Sequence, residues 1–200
     1  MIDSRYLWTV CIVLTLFYQT NCECPKIYNR FEWSARKAIT SKQLMENPPP
    51  YVVVHQSEFG SCFSVQNCSK LVRRIQAYHI DHNGLNDVKF NFLIGGDGTI
   101  YEGRGYGIHG AHAMSYNTRS LGVCLLGNFK DVNPPDVQLK ALKDFLSCAA
   151  ADNRITADYH LIGHRQVDKT ECPGERLQTV IEKWTHFESN PPDSSQNKLY

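Results

Sequence analysis

Two runs of the chain, residues 51–55 (YVVVH) and 121–126 (LGVCLL), are apolar almost without a break and rich in β-branched side chains. A strand of that composition has no face to give to water and is stable only inside a sheet covered on both sides. The segments between the runs supply the cover. Leu71, Val72, Ile75 and Tyr78 recur at helical spacing, with Arg73, Arg74 and Gln76 on the opposite side. Pro134, Pro135 and Asp136 open a second helix, whose apolar face is Val137, Ala141, Leu142, Phe145 and Leu146. A third follows Pro173-Gly174 and carries Leu177, Val180, Ile181 and Trp184. Residues 90–94 (FNFLI) and 99–102 flank Gly95-Gly96-Asp97-Gly98 and read as a β-hairpin, and residues 159–162 read as a short strand. This alternation predicts a single-domain α/β fold with a central mixed β-sheet flanked by helices.

The ends set the compartment. Arg5 precedes an apolar stretch, residues 6–18, that stops at Gln19 and is shorter than the ~20 residues of a membrane span. Thr20 and Cys22 are small enough for the −3 and −1 positions of a cleavage site, so residues 1–22 are predicted to be a signal peptide. The domain then covers residues 23–187, and residues 188–200, polar and without an apolar period, form a flexible tail. With no second long apolar run, the mature chain is expected to have no membrane span and to be secreted and extracellular, where disulfides persist. The 21 basic and 20 acidic side chains nearly cancel, which argues against nucleic acid as a partner, and 42% hydrophobic content excludes disorder.

Of the eight cysteines, Cys11 and Cys22 fall in the leader. Cys62 and Cys68 stand close enough for a local loop, Cys24 lies in an N-terminal arm that needs fastening, and Cys124 in its apolar run reads as a buried free thiol, leaving Cys148 and Cys172. Functional groups in α/β folds collect at strand ends and in the loops beyond them. His55 ends the first strand, and His164 and Cys172 flank a loop. Two imidazoles and a thiolate suffice for Zn²⁺ and leave a fourth position for water, an arrangement suited to amide hydrolysis. Spacing alone leaves a second reading open, with His55 a hydrogen-bonded strand end and Cys172 in a disulfide with Cys148 or Cys24.

From Phe31 onward, successive motifs narrow the choice. They are EWSAR (32–36), YVVVH (51–55), IQAYH (75–79), FNFLIGGDGTIYEGRG (90–105), GAHA (110–113), YNTRS (116–120), GNF (127–129) and the segment 163–174. In this order they resemble the peptidoglycan recognition proteins, an animal family similar to phage-type zinc amidases. The resemblance implies that His55, His164 and Cys172 bind Zn²⁺ and that Thr170 polarises the scissile carbonyl or positions the substrate. It implies that His79, His112 and Asn117 line a groove for muramyl peptide, and that the disulfides are Cys62–Cys68 and Cys24–Cys148. His82, His109, His160 and His186 have no counterpart in that groove and read as surface or packing residues.

Two positions depart from the family's amidases. Phe90 replaces a tyrosine whose hydroxyl hydrogen-bonds near the metal or the substrate carbonyl, and Gln56 replaces the second histidine of a His-His-Thr sequence. Arg119 and Gly84 match members selective for diaminopimelate-type peptides, while Leu85 stands where those members carry tryptophan. The resemblance therefore implies a secreted innate-immunity protein that binds bacterial peptidoglycan of the diaminopimelate type. It further implies hydrolysis of the N-acetylmuramoyl-L-alanine amide, attenuated by Phe90. The alternative is a non-catalytic receptor or opsonin that signals through a protein partner.

Overall fold

A computed structural model describes residues 24–192, so the expected leader lies outside the described residues. Six strands are β1 (Ile27–Tyr28), β2 (Tyr51–Gln56), β3 (Phe92–Ile94), β4 (Ile100–Glu102), β5 (Ser120–Leu125) and β6 (His160–Gly163). The helices are α1 (Val65–Ala77), continued by a π-helical turn over Tyr78–His82, α2 (Asp136–Ala151) and α3 (Glu175–Ile181). The strands form one mixed sheet in the order β1-β4-β3-β5-β2-β6, in which the β3–β4 hairpin is antiparallel and the other pairs are parallel. The α/β architecture expected from the sequence is the one observed.

The two faces of the sheet bury different partners. Val52 and Val54 of β2, Leu121, Val123 and Leu125 of β5, and Leu161 of β6 pack with Leu142, Phe145 and Leu146 of α2 and Leu177 and Ile181 of α3. On the other face Leu93, Tyr101 and Cys124 meet Cys68, Val72 and Ile75 of α1, with Trp33 fully buried among them. Because α1 covers only the β4–β3–β5 side of that face, the carboxyl ends of β2 and β6 stay open to a cleft.

Some local expectations need correction. Helix α1 begins at Val65, ahead of the apolar repeat, because the Ser64 side chain caps it by accepting the Asn67 N–H at 3.4 Å. Gln76, expected on the polar side of α1, is fully buried. Its amide nitrogen donates to the Asp87 carboxylate (2.7 Å) and the Arg36 carbonyl (3.0 Å), and its oxygen accepts the Arg36 N–H (2.9 Å), fastening the N-terminal arm. Val137, expected on the apolar face of α2, is exposed.

Among the described residues the disulfides are Cys24–Cys148 and Cys62–Cys68, as the resemblance implied, and Cys124 and Cys172 are free and buried. Cys24–Cys148 ties the arm to α2 and closes a loop of 124 residues. The segment expected to be a free tail starts docked. Residue 187 bridges to Leu161, the Glu188 N–H reaches the Leu161 carbonyl (3.0 Å), and the Tyr116 hydroxyl donates to the Pro192 carbonyl at 2.8 Å. The rest of the tail lies outside the described residues.

Candidate metal centre and cleft

The 109-residue gap between His55 and His164 closes through strand register. β2 and β6 are parallel neighbours with Val54 opposite Gly163, so the next residue on each, His55 and His164, stands at the same level. Side chains alternate across a strand, and Val53 and Ile162 share a cluster on the open face. The histidines two positions on therefore share it too, with ring centroids 4.4 Å apart. Cys172 arrives on the loop after β6. Gly174 turns that loop with a φ of +92°, and a Cβ there would strike Gln56 and the Phe129 backbone. Only glycine allows the chain to press this closely on the end of β2.

The potential ligand atoms of His55, His164 and Cys172 all lie within 4.8 Å of one another. The Cys172 Sγ is 3.6 Å from His55 Nδ1 and accepts the Gln56 backbone N–H at 3.3 Å. His164 Nε2 is 2.8 Å from an Asp168 carboxylate oxygen, which leaves its Nδ1 for another partner. Burial holds His55 and His164 below the usual imidazole range, so both are neutral, as ligation requires. The same burial pushes the Cys172 thiol up to about 12, opposed by the Gln56 N–H, so the thiolate needs a cation beside it. Neutral nitrogens, a thiol and a carboxylate behind one histidine fit Zn²⁺ in an open, three-ligand site. The alternative of Cys172 in a disulfide is excluded, since Cys24 and Cys148 bond to each other.

Residues 45–175 match the family of N-acetylmuramoyl-L-alanine amidases. Peptidoglycan-recognition protein SA of Drosophila melanogaster is 38% identical over 168 residues, 84% of this chain and 82% of that protein. The chain belongs to the peptidoglycan-recognition protein family. The human N-acetylmuramoyl-L-alanine amidase is 35% identical over 167 residues, 82% of this chain and 29% of that protein. Among solved structures, peptidoglycan recognition protein-LE in complex with tracheal cytotoxin, a monomeric diaminopimelic acid-type peptidoglycan, superposes with a TM-score of 0.79 at 38% identity. That match covers 81% of this chain and 95% of the other.

In this family member His55, His164 and Cys172 open into a cleft of about 550 Å³. Its wall also includes Gln56, His79, Phe90 and Thr170, all singled out in the sequence, and Glu58, Arg74 and Lys89, which were not. Phe90 is buried with its ring 5.1 Å from that of His55 and 5.7 Å from that of His79. Thr170 is exposed at the rim, and its Oγ1 accepts the Cys172 N–H at 3.2 Å, leaving its O–H free to donate. The Gln56 side chain is spent on the fold, accepting the Phe129 N–H (2.7 Å) and donating to Glu58 (3.1 Å).

Other expected groove residues lie outside the wall of this cavity. His112 is 4% exposed and lies behind His55, and the Asn117 side chain accepts the N–H groups of His112 (2.7 Å) and Ala113 (3.0 Å). Neither forms the wall of this cleft. Arg119 stacks on the rings of Tyr51 and Tyr116 at 4.8 and 4.7 Å and is not part of this wall. Gly84 and Leu85 follow the π-helical turn, where the Leu85 N–H reaches the His79 carbonyl at 2.9 Å. Sequence reasoning passed over Asp168, although its place four residues after His164 is the spacing at which a carboxylate reaches back to an imidazole.

Proposed function

We propose that this chain binds the muramyl peptide of bacterial peptidoglycan, of the diaminopimelate type, and slowly hydrolyses the amide between the muramic lactyl group and L-alanine. The observation that carries the reading is the convergence of His55, His164 and Cys172 at the floor of a cleft. These three residues would hold Zn²⁺, which when bound supplies Lewis acidity toward a carbonyl oxygen and a nucleophile at neutral pH. The rest is the work of the chain's other side chains. Thr170 donates its free O–H to the scissile carbonyl, Arg74 and Lys89 line the cleft, and Arg119, whose Nε and Nη2 have no hydrogen-bond partner among the described residues, pairs with the extra carboxylate of a diaminopimelate-type stem. The amide C–N bond breaks, water adds across it, and a lactyl carboxylate and a free alanine amine result.

Phe90 is the reason for slow turnover. It presents a ring with no donor where the family's amidases carry a hydroxyl, and loss of one preorganised donor lowers a rate by about 10²–10³, roughly 3–4 kcal/mol. The same residue favours a second reading, a receptor or opsonin that holds the muramyl peptide and engages an immune signalling protein. Residues 1–22 would direct the chain out of the cell, to a compartment that keeps Cys24–Cys148 and Cys62–Cys68 oxidised.

The deciding measurement is stem-peptide release from diaminopimelate-type peptidoglycan with zinc supplied, beside the same assay with chelator and with Cys172→Ala. Release that both treatments abolish supports the amidase. Wild-type protein that sediments with peptidoglycan yet releases nothing supports the receptor.

A further inference from the structure

His112 is buried behind His55 and held from several sides. Its Nδ1 lies 3.0 Å from His55 Nε2, and its Nε2 is buried with no hydrogen-bond partner among the described residues. A Cβ added at Gly110 or Gly122 would run into its ring, so two glycines leave the space that it fills. Asn117 holds the backbone on which it sits, accepting its N–H at 2.7 Å.

The direction of the His55–His112 bond follows from what faces the other side of His55. Nδ1 is the His55 nitrogen turned toward Cys172 Sγ, and a nitrogen that binds a cation carries no proton. The proton of neutral His55 is then on Nε2, and His112 Nδ1 must accept it. The proton of His112 is in turn on Nε2, the atom left without a partner. Burying one unpaired N–H is unfavourable, and the arrangement makes sense where that N–H is the consequence of keeping a bare acceptor aimed at His55.

We propose that His112 is a positioning residue that fixes the tautomer and ring orientation of His55 for metal binding, the role a carboxylate plays toward His164. This rests on the zinc reading of the cleft and deepens it, giving His112 a task toward the metal site. Outer partners of this kind set the basicity and aim of a ligating imidazole.

The test uses two variants of the full-length chain. His112→Leu and His112→Asn remove the same part of the ring, but only asparagine retains an acceptor, its Oδ1 taking the place of Nδ1. Zinc affinity, measured by competition with a chromophoric chelator, is expected to fall about 10- to 100-fold in His112→Leu and to stay within about fivefold of wild type in His112→Asn. Thermal unfolding of the metal-free proteins reads the packing effect separately and should fall alike in both. Wild-type affinity in His112→Leu overturns the inference, as does an equal loss in the two variants, which would assign the effect to packing. Wild-type protein that takes up no zinc overturns the zinc reading and this inference with it, so the two failures are distinguishable.

Discussion

On β2, Val52 and Val54 point into hydrocarbon beneath α2 and α3, whereas His55, one residue further, points into a face that also holds His112 and His79. The first face is dominated by aliphatic and aromatic side chains, whose cohesion is non-directional. The second is a network in which each polar group has a direction. Asn91, fully buried, donates to the carbonyls of Gly105 (2.9 Å) and Ile108 (2.7 Å) and accepts the Gly122 N–H (2.9 Å). Asp87 pairs with Arg30 at 2.9 Å. One strand thus divides its labour, one face holding the domain together and the other holding chemistry in place. Damage to the two faces should be separable.

The largest effect expected is on the hydrocarbon face. Phe145→Ala should lower unfolding free energy by about 3–5 kcal/mol, measured by denaturant titration, while the zinc affinity of the folded protein is unchanged. A matching loss of affinity would mean that the faces are not independent. On the polar face, Phe90→Tyr should raise stem-peptide release by about 10²–10³ with little change in unfolding or in zinc affinity. If release does not rise, the missing hydroxyl is not what distinguishes this cleft from that of a fast amidase.

Acidification acts on the polar face. Burial, with Lys89 and Arg104 adding to it, depresses His79 from 6.5 to about 3, and burial also brings His112 to about 3. An unfolded chain takes up protons near 6.5 that the folded chain refuses. Stability of the metal-free protein is therefore full above that value and is lost as pH falls from about 6.5 toward 3, by up to about 1.4 kcal/mol per pH unit for each such imidazole. Denaturant midpoints across the window read the slope, and His79→Gln should make it shallower by one group's share. An unchanged slope would show that His79 is not among the groups that refuse the proton. The smallest effect belongs to Asp168→Asn, which should weaken zinc binding about tenfold by loosening His164, with Phe145-type stability loss absent.

Much of the fold was legible because its signals are local. The apolar runs at 51–55 and 121–126 became β2 and β5 within a residue, and Pro134-Pro135-Asp136 marked the start of α2. β1 was not anticipated, since two residues carry no period, and the cap of α1 was hidden because residues 65–70 are polar on the side that shows in a sequence. Gln76 was misplaced for a related reason. A helical wheel cannot know that the N-terminal arm will fold over one side of α1 and bring Arg36 and Asp87 to meet an amide.

The site divides along the same line. The amino-acid sequence by itself determined which residue types could bind a metal, the strand ends and loop that carry them, and, through its ordered motifs, the family and both disulfides. Only the tertiary structure decided that parallel register sets His164 beside His55, that His112 turns inward behind His55, and that Arg119 lies on Tyr51 and Tyr116. The reason is range. A turn or an amphipathic face is set by neighbours along the chain, whereas the direction of a buried imidazole or guanidinium is set by which distant backbone leaves room for it, as Gly110 and Gly122 do for His112.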